Sequence, residues 1–294
     1  MSIVIPSLHK PEKIAVVGAN GSIGQRYAKI LKNRFNKNPV LCDVKEGFSH
    51  PDEICHDFFE LVLICTPSSS HLDVAKKFSQ TKHFFIEKPL DTSIRKIKEC
   101  GLYLQNKTFV SCNIFYSKHM RTIEKHIKNA RVINFKYSTF LPLWRENYKE
   151  FYSSHKSLGG GVLNDVFTHS GFAVFHMLGK PDKVSIDKHR LADYTHDTED
   201  YAFVRLKYPD KIVNFEMSYL SYVKERSCDM ILKDGSRVKV DFMGGQTLEG
   251  MNTIEDLEET YVKQFDDLSW QMQNSTIGFG NYQKAKDFME LILK

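Results

Sequence analysis

The sequence predicts an α/β fold in which a doubly wound parallel sheet is followed by an α+β domain with a largely antiparallel open sheet. Three observations point there. Between Lys13 and Asn113 short apolar runs alternate with helically spaced stretches, the pattern of βα units on a parallel sheet. The first run passes directly into Gly18-Ala19-Asn20-Gly21-Ser22-Ile23-Gly24, a glycine-rich turn opening a helix. Beyond Lys118 the texture changes to longer alternating segments, two of them joined through the hairpin turn Lys233-Asp234-Gly235-Ser236.

Taken in order, strands are expected at residues 14–17, 40–42, 61–65, 83–86 and 108–112, with helices at 23–33, 71–79 and 93–104. The crossover at 44–57 carries Gly47 and Pro51 with few spaced apolar residues, so it is expected to be short or irregular. A helix at 118–128 leads into strands at 132–138, 184–188, 201–207, 212–217, 229–233 and 237–241, with a helix at 162–178 packed on them. Residues 242–280 show little periodicity, and helical spacing returns at 281–293. The expected division is 1–115 and 116–294, the terminal helix packing back on the first domain.

Composition narrows the class. With 41% hydrophobic and 26% charged residues the chain is neither disordered nor membrane-embedded, and its longest apolar run, Leu61 to Cys65, is far too short to span a bilayer. The opening Met1-Ser2-Ile3-Val4-Ile5-Pro6 does not read as a signal peptide, which predicts a cytoplasmic protein. The net charge of +5 is scattered, so no nucleic-acid partner is expected, only a mild preference for anionic small molecules. Cys42, Cys55, Cys65, Cys100, Cys112 and Cys228 form no CxxC pair and read as buried thiols in a reducing compartment. No close histidine pair stands beside an acid, so no metal site is expected.

The glycine turn carries the first chemistry. A dinucleotide pyrophosphate must approach the backbone closely at a helix amino end, where unpaired N–H groups and the dipole favour an anion. Gly18 would make the tight turn, Gly21 would allow the approach and Gly24 would let helix and strand pack, with Asn20, Ser22 and Ile23 in the same cradle. Asp43, nineteen residues after Gly24 at the end of the next strand, can accept hydrogen bonds from ribose hydroxyls. Its charge favours NAD over NADP, while Lys45 nearby leaves NADP open. A purely steric need for glycine between strand and helix is the plain alternative.

Two further segments follow strands at the ligand edge of such a sheet. Thr66-Pro67-Ser68-Ser69-Ser70-His71 could cap the next helix or contact the cofactor, with Thr66, Pro67 and His71 as the contacts. Glu87-Lys88-Pro89 would bring Glu87 to the cofactor and Lys88 near the nicotinamide, the alternative for Lys88 being a solvated loop lysine. In the second half, Gly159-Gly160-Gly161-Val162-Leu163-Asn164-Asp165-Val166-Phe167-Thr168-His169 sets a carboxylate and an imidazole four apart on one helix face. A surface ion pair is the ordinary reading of that spacing; an oriented acid–base pair is the functional one.

Together, the glycine turn, Thr66-Pro67 with His71, Glu87-Lys88-Pro89 and the triple glycine leading to Asp165 and His169 resemble the Gfo/Idh/MocA family of sugar oxidoreductases over residues 13–240. The resemblance implies a Rossmann domain, an α/β domain whose open sheet commonly joins subunits, and reversible oxidation of a sugar or polyol secondary alcohol with NAD or NADP. A homo-oligomer, dimer or tetramer, is therefore expected. By position, Lys88 resembles the family's catalytic lysine, His169 its histidine and Asp165 the third member. We expect His169 as base, Asp165 as its orienting partner and Lys88 as donor to the reacting oxygen, with the roles of His169 and Lys88 interchangeable at this level. The resemblance also implies a cis Lys88–Pro89 bond.

The stretch Leu141-Pro142-Leu143-Trp144-Arg145-Glu146-Asn147-Tyr148 resembles a loop of family members encoded with surface-glycan genes. Trp144 and Tyr148 would stack on a sugar, Arg145 would pair with a carboxylate or phosphate, and Lys88 and Asn164 would complete the substrate contacts, pointing to an anionic or nucleotide-activated sugar. The plain alternative is an aromatic loop covering the sheet. The chain departs from the family in the extra residue of its glycine turn, its short crossover after Asp43, and Phe115-Tyr116 where many relatives carry arginine. A catalytically silent NAD-binding sensor or scaffold is the reading from another functional class.

Overall fold

The computed structural model describes residues 13–243, 245–247, 250–252, 257–276 and 281–293. The expected lack of a signal peptide at Met1 to Pro6 therefore lies outside the described residues, as do the first twelve positions of the expected first domain and parts of the 242–280 stretch.

β1 (Ile14–Val17), β2 (Val40–Cys42), β3 (Phe59–Ile64), β4 (Thr81–Ile86) and β5 (Thr108–Val110) form a parallel sheet in the order β2-β1-β3-β4-β5. Its central strands are covered on both faces, which is why they read as continuous apolar runs rather than alternating ones. Helices α1 (Ser22–Phe35), α2 (Pro51–Ile54), α3 (His71–Lys77), α4 (Ile94–Glu99) and α5 (Gly101–Gln105) lie between the strands. The irregular crossover holds only the single turn of α2, and the helix expected at 93–104 is two short ones meeting at Cys100. Strand order reverses between β1 and β3, and at such a switch point a ligand crevice opens beyond the strand ends.

α6 (Lys118–Ile127) starts at Ser117, whose hydroxyl accepts from the Met120 amide at 3.0 Å, and buries Met120, Ile123 and Ile127 along one face. β6 (Ala130–Phe140), the one-turn α7 (Leu141–Trp144), α8 (Thr168–Leu178), β7 (Lys183–His189), β8 (Tyr201–Lys207), β9 (Ile212–Ser218), β10 (Leu220–Leu232) and β11 (Arg237–Asp241) follow. The second sheet runs β11-β10-β6-β9-β8-β7, antiparallel except where β6 lies parallel to β9. The expected hairpin joins β10 to β11, but β10 begins nine residues before the expected strand; its first half is largely exposed and gives no apolar alternation.

The largest departure is α9 (Leu257–Gln273), a seventeen-residue helix in the stretch that shows little periodicity. It lies against the first sheet: Tyr261, Val262, Phe265 and Leu268 pack with Ile14, Val16, Leu63 and Phe85, and the Phe265 ring stacks on Phe85 at 5.3 Å. The pattern is hidden because its buried face also carries Thr260, Gln264 and Ser269 while Trp270 is exposed. Residues 116–294 thus do not all belong with the second sheet. α10 (Asn281–Ile292) meets both parts, its Asn281 side chain accepting from the Val110 amide at 2.7 Å and Phe288 packing on Phe167, just before α8, and on Phe172 and Phe175 within it.

Candidate active site

A cleft of about 960 Å³ runs from the glycine turn to the inner face of the second sheet, near the upper end of small-molecule sites. At its first end Gly18 has a φ of +85°, and a Cβ there would stand 2.6 Å from the Cys65 carbonyl oxygen. A Cβ on Gly24 would come within 2.2 Å of the Gly18 oxygen, so helix and turn touch only because Gly24 lacks a side chain. α1 starts at Gly21 with no side-chain cap, leaving its first amides for a ligand. Asn20, Gly21, Ser22 and Ile23 line the cleft, as do Arg26 and Lys45. Asp43 stands behind them, its carboxylate accepting from the amides of Asn20 at 3.0 Å and Lys45 at 3.2 Å, with lone pairs to spare. This cradle of glycine backbone, free helix amides and acid fits a dinucleotide.

The next wall comes from the ends of β3 and β4, where Thr66, Pro67, Glu87 and Lys88 all line the cleft. His71 lines the cleft with them, and its ring also meets the loops around it. Its ring is buried and spans two turns, Nδ1 lying 2.8 Å from the Pro89 oxygen and Nε2 2.9 Å from the Thr66 oxygen. Burial pushes its pKa down, against the pull of those carbonyls, and the neutral ring donates to one of the two oxygens. Glu87 is likewise held from behind: Tyr27 and Ser111 donate to Oε1 at 2.7 and 2.8 Å. Gln264 of α9 closes this network, donating to the Tyr27 hydroxyl at 2.9 Å and accepting from the Cys112 amide at 2.6 Å. Tyr27, Ser111 and Gln264 escaped the sequence reading, since no local pattern marks residues that meet only in three dimensions. The Lys88–Pro89 bond is cis.

Lys88 reaches across to the second half. Its Nζ donates to the Asp165 backbone oxygen at 2.9 Å and stands 3.7 Å from Asp165 Oδ1, with both side chains about one-tenth exposed. The helix expected over 162–178 begins as a π-helical turn, Leu163–Phe167, a form that often marks functional sites. Asp165 sits in that turn, and its carboxylate accepts from Tyr152 at 2.6 Å and Tyr219 at 2.9 Å. This corrects the expected Asp165–His169 pair: both carboxylate oxygens are taken by tyrosine hydroxyls, and the His169 ring makes no hydrogen bond among the described residues. Burial holds both phenols well above their ordinary pKa, so they remain donors. His169 lines the same cleft, and burial, then the charges of Lys88 and Arg226, push its pKa well below the usual value. Close packing sets Tyr152 in place, since a Cβ on Gly160 would lie 2.4 Å from the Tyr152 oxygen. Glu199 caps the π-helical turn through the Leu163 amide at 3.1 Å.

Trp144 and Arg145 line the cleft, with the Arg145 guanidinium 4.2 Å from the Trp144 ring and 4.4 Å from that of Phe151. Two expected substrate contacts do not reach this wall. Tyr148 packs against the core and accepts a hydrogen bond from Ser154 through its backbone oxygen, while the Asn164 amide turns back to the Gly160 oxygen at 3.2 Å. Arg226, missed in the sequence because β10 begins earlier than expected, lines the cleft beside Tyr137. Five of the six cysteines are buried, Cys65 is half-buried, and all are free thiols.

Comparison with known proteins places this architecture. Residues 37–113 match the oxidoreductase family with an NAD-binding Rossmann fold, and residues 126–238 match the GFO/IDH/MocA C-terminal domain, together more than half of the chain. Inositol 2-dehydrogenase of Rhizobium meliloti (strain 1021) is 29% identical over 77 residues, which is 25% of this chain and 23% of that protein. Among solved structures, the WlbA dehydrogenase from Bordetella pertussis, in complex with NADH and UDP-GlcNAcA, is similar with a TM-score of 0.77 at 15% identity, covering 96% of this chain and 94% of that one. An oxidoreductase from Thermotoga maritima is similar with a TM-score of 0.80 at 13% identity, covering 97% and 96%. At these identities the solved structures speak for the fold. The two domain matches carry the family: the chain belongs to the Gfo/Idh/MocA oxidoreductases and carries their NAD-binding Rossmann domain.

Proposed function

We propose that the chain transfers a hydride between a nicotinamide cofactor and a secondary alcohol or ketone of a sugar or sugar derivative, anionic and nucleotide-activated sugars included. One observation carries the reading. Lys88, Asp165 and His169 line the same cleft as the glycine cradle, so acid–base groups face the position a nicotinamide would take. Bound NAD supplies the hydride acceptor, and NADH the donor in the reverse direction. The carboxylate of Asp43 favours NAD here, since it would repel a 2′-phosphate.

The side chains have separable tasks. His169 is kept neutral by burial, so a ring nitrogen can accept the hydroxyl proton as the carbinol is oxidised. Lys88 donates a hydrogen bond to the same oxygen and stabilises the charge that develops on it. Asp165, fixed by Tyr152 and Tyr219, holds the lysine ammonium in place, a different task from orienting the imidazole. Reduction of a ketone runs through the same groups in reverse. Free, mostly buried thiols suit a reducing compartment, and a cytoplasmic location and a homo-oligomer formed through the open face of the second sheet belong to this proposal.

The test follows reduced-nicotinamide absorbance with NAD and NADP against polyols, sugars, sugar acids and nucleotide sugars. Lys88→Ala should lower kcat/KM by roughly 10²–10⁴-fold and leave NADH affinity unchanged. Turnover that survives both Lys88→Ala and His169→Ala would refute the mechanism. Tight NAD binding with no turnover on any of these substrates would favour a silent sensor.

A further inference from the structure

The substrate end of the cleft holds two guanidinium groups whose charge no carboxylate among the described residues answers. Arg145 is half-buried, stacked between Trp144 and Phe151, and its Nε is buried with no hydrogen-bond partner. Stacking on aromatic faces holds the guanidinium flat and leaves its in-plane N–H edge as the binding surface. Arg226, open at the mouth, makes one long contact, Nη2 to the Tyr137 hydroxyl at 3.3 Å, with its guanidinium 4.9 Å from that ring. Tyr137 lines the cleft with both arginines, and burial raises its pKa against the pull of the Arg226 and Arg145 charges. Arg145 and Arg226 line the same cleft as His169 and Lys88, so the pair faces the reacting end.

The carboxylates on the cleft do not neutralise these groups. Glu87 accepts from Tyr27 and Ser111, and Asp165 from Tyr152 and Tyr219 beside Lys88. Glu150 and Glu216 form no ion pair with either arginine among the described residues. A partly buried guanidinium without a counter-charge is costly unless a ligand supplies one.

Resting on the oxidoreductase reading, we propose that Arg145 and Arg226 form an anion subsite for an oxyanion, carboxylate or phosphate, carried by the sugar close to its reacting carbon. The planar fork of Arg145 can take two oxygens side by side, and Arg226 can add a third donor from the mouth. Neutral polyols lack the group that answers these charges, so the subsite selects among sugars by charge.

Titration calorimetry on the NADH complex tests this with three probes: glucuronate, the phosphate monoester of glucose, and glucose itself. At least one anionic probe should bind more tightly than glucose by about tenfold or more, the scale of hydrogen bonds to a charged group. Whichever anion binds better identifies the source of the oxyanion. Arg145→Met and Arg226→Met should each remove most of that preference while NADH affinity and melting temperature stay near wild type. Arg226 is solvent-exposed, so its variant keeps the test open if Arg145→Met fails to fold. Lys88→Ala should retain the preference, and in the wild-type protein an anion preference with no turnover on any sugar would uphold the subsite while refuting hydride transfer. Glucose binding as tightly as both anions, or both arginine variants keeping the full preference, would overturn the proposal.

Discussion

The two ends of the cleft are built by different means. At the dinucleotide end one short run of chain does the work: Gly18 to Gly24 supply a turn, a close helix–strand contact and free amides, and side chains matter mainly by being absent. At the substrate end backbone serves mostly as support. Lys88, Tyr152, Asp165, His169, Tyr219 and Arg226 come from five separate segments and meet only because the second sheet and the π-helical turn bring them together. Backbone recognition suits a cofactor shared by many enzymes, and a side-chain assembly can be re-chosen residue by residue to suit one substrate.

The sharpest break of this contrast is Gly24→Ala. A single methyl there would meet the Gly18 oxygen at 2.2 Å, and rigid backbone cannot yield as a side-chain tip would. We expect a loss of about 3 kcal/mol of stability and loss of NADH binding, read by urea unfolding and by quenching of nicotinamide fluorescence. A variant that unfolds at the wild-type urea concentration and binds NADH normally would show that the dinucleotide end does not depend on backbone contact.

The same contrast explains what could be read from sequence. The glycine turn, Asp43 and Lys88 are legible because each lies at a strand end whose position follows from hydrophobic periodicity. Asp165 and His169 are legible as residues, but their relationship is not. Four-residue spacing suggests a pair, whereas the tyrosines that claim the carboxylate stand 13 and 54 positions away. α9 is hidden for a related reason: Gln264 and Thr260 face inward to bond Tyr27 and Asn113, and those polar positions erase the apolar stripe. Tyr148 and Asn164 misled because aromatic and amide groups near a site count as contacts only once the chain direction is known.

A subtler probe acts on the side-chain end alone. Tyr152→Phe and Tyr219→Phe each delete one hydroxyl from the Asp165 carboxylate and leave ring packing in place. A hydrogen bond to a charged group contributes about 1.5–3 kcal/mol, so kcat should fall roughly tenfold or more in each variant. NADH affinity should not move, because neither ring belongs to the glycine cradle. Equal losses in kcat and in NADH affinity would mean that the two ends are one coupled unit.

The smallest expected effect is a pH dependence to which the substrate end contributes through His169. Burial lowers the pKa of His169 strongly, and those of His71, His83 and His176 as well. A folded-state pKa below the unfolded value of about 6.5 means that, just below that pH, the unfolded chain binds protons the folded chain refuses. Stability is therefore complete above about pH 6.5 and declines as pH falls through the window below it. Asp91 and Asp266, whose carboxyls burial raises, act in the opposite direction and nearer their own range. Melting temperatures taken between about pH 7 and 5.5 should thus fall, and His169→Gln should flatten part of that fall. The acid limb of kcat/KM should sit below the ordinary histidine value for the same reason, since the imidazole that accepts the proton stays neutral into mild acid. A wild-type limb at the ordinary value would mean that bound substrate and cofactor leave the imidazole as solvated as in the open chain, and the base would then have to be sought at Lys88.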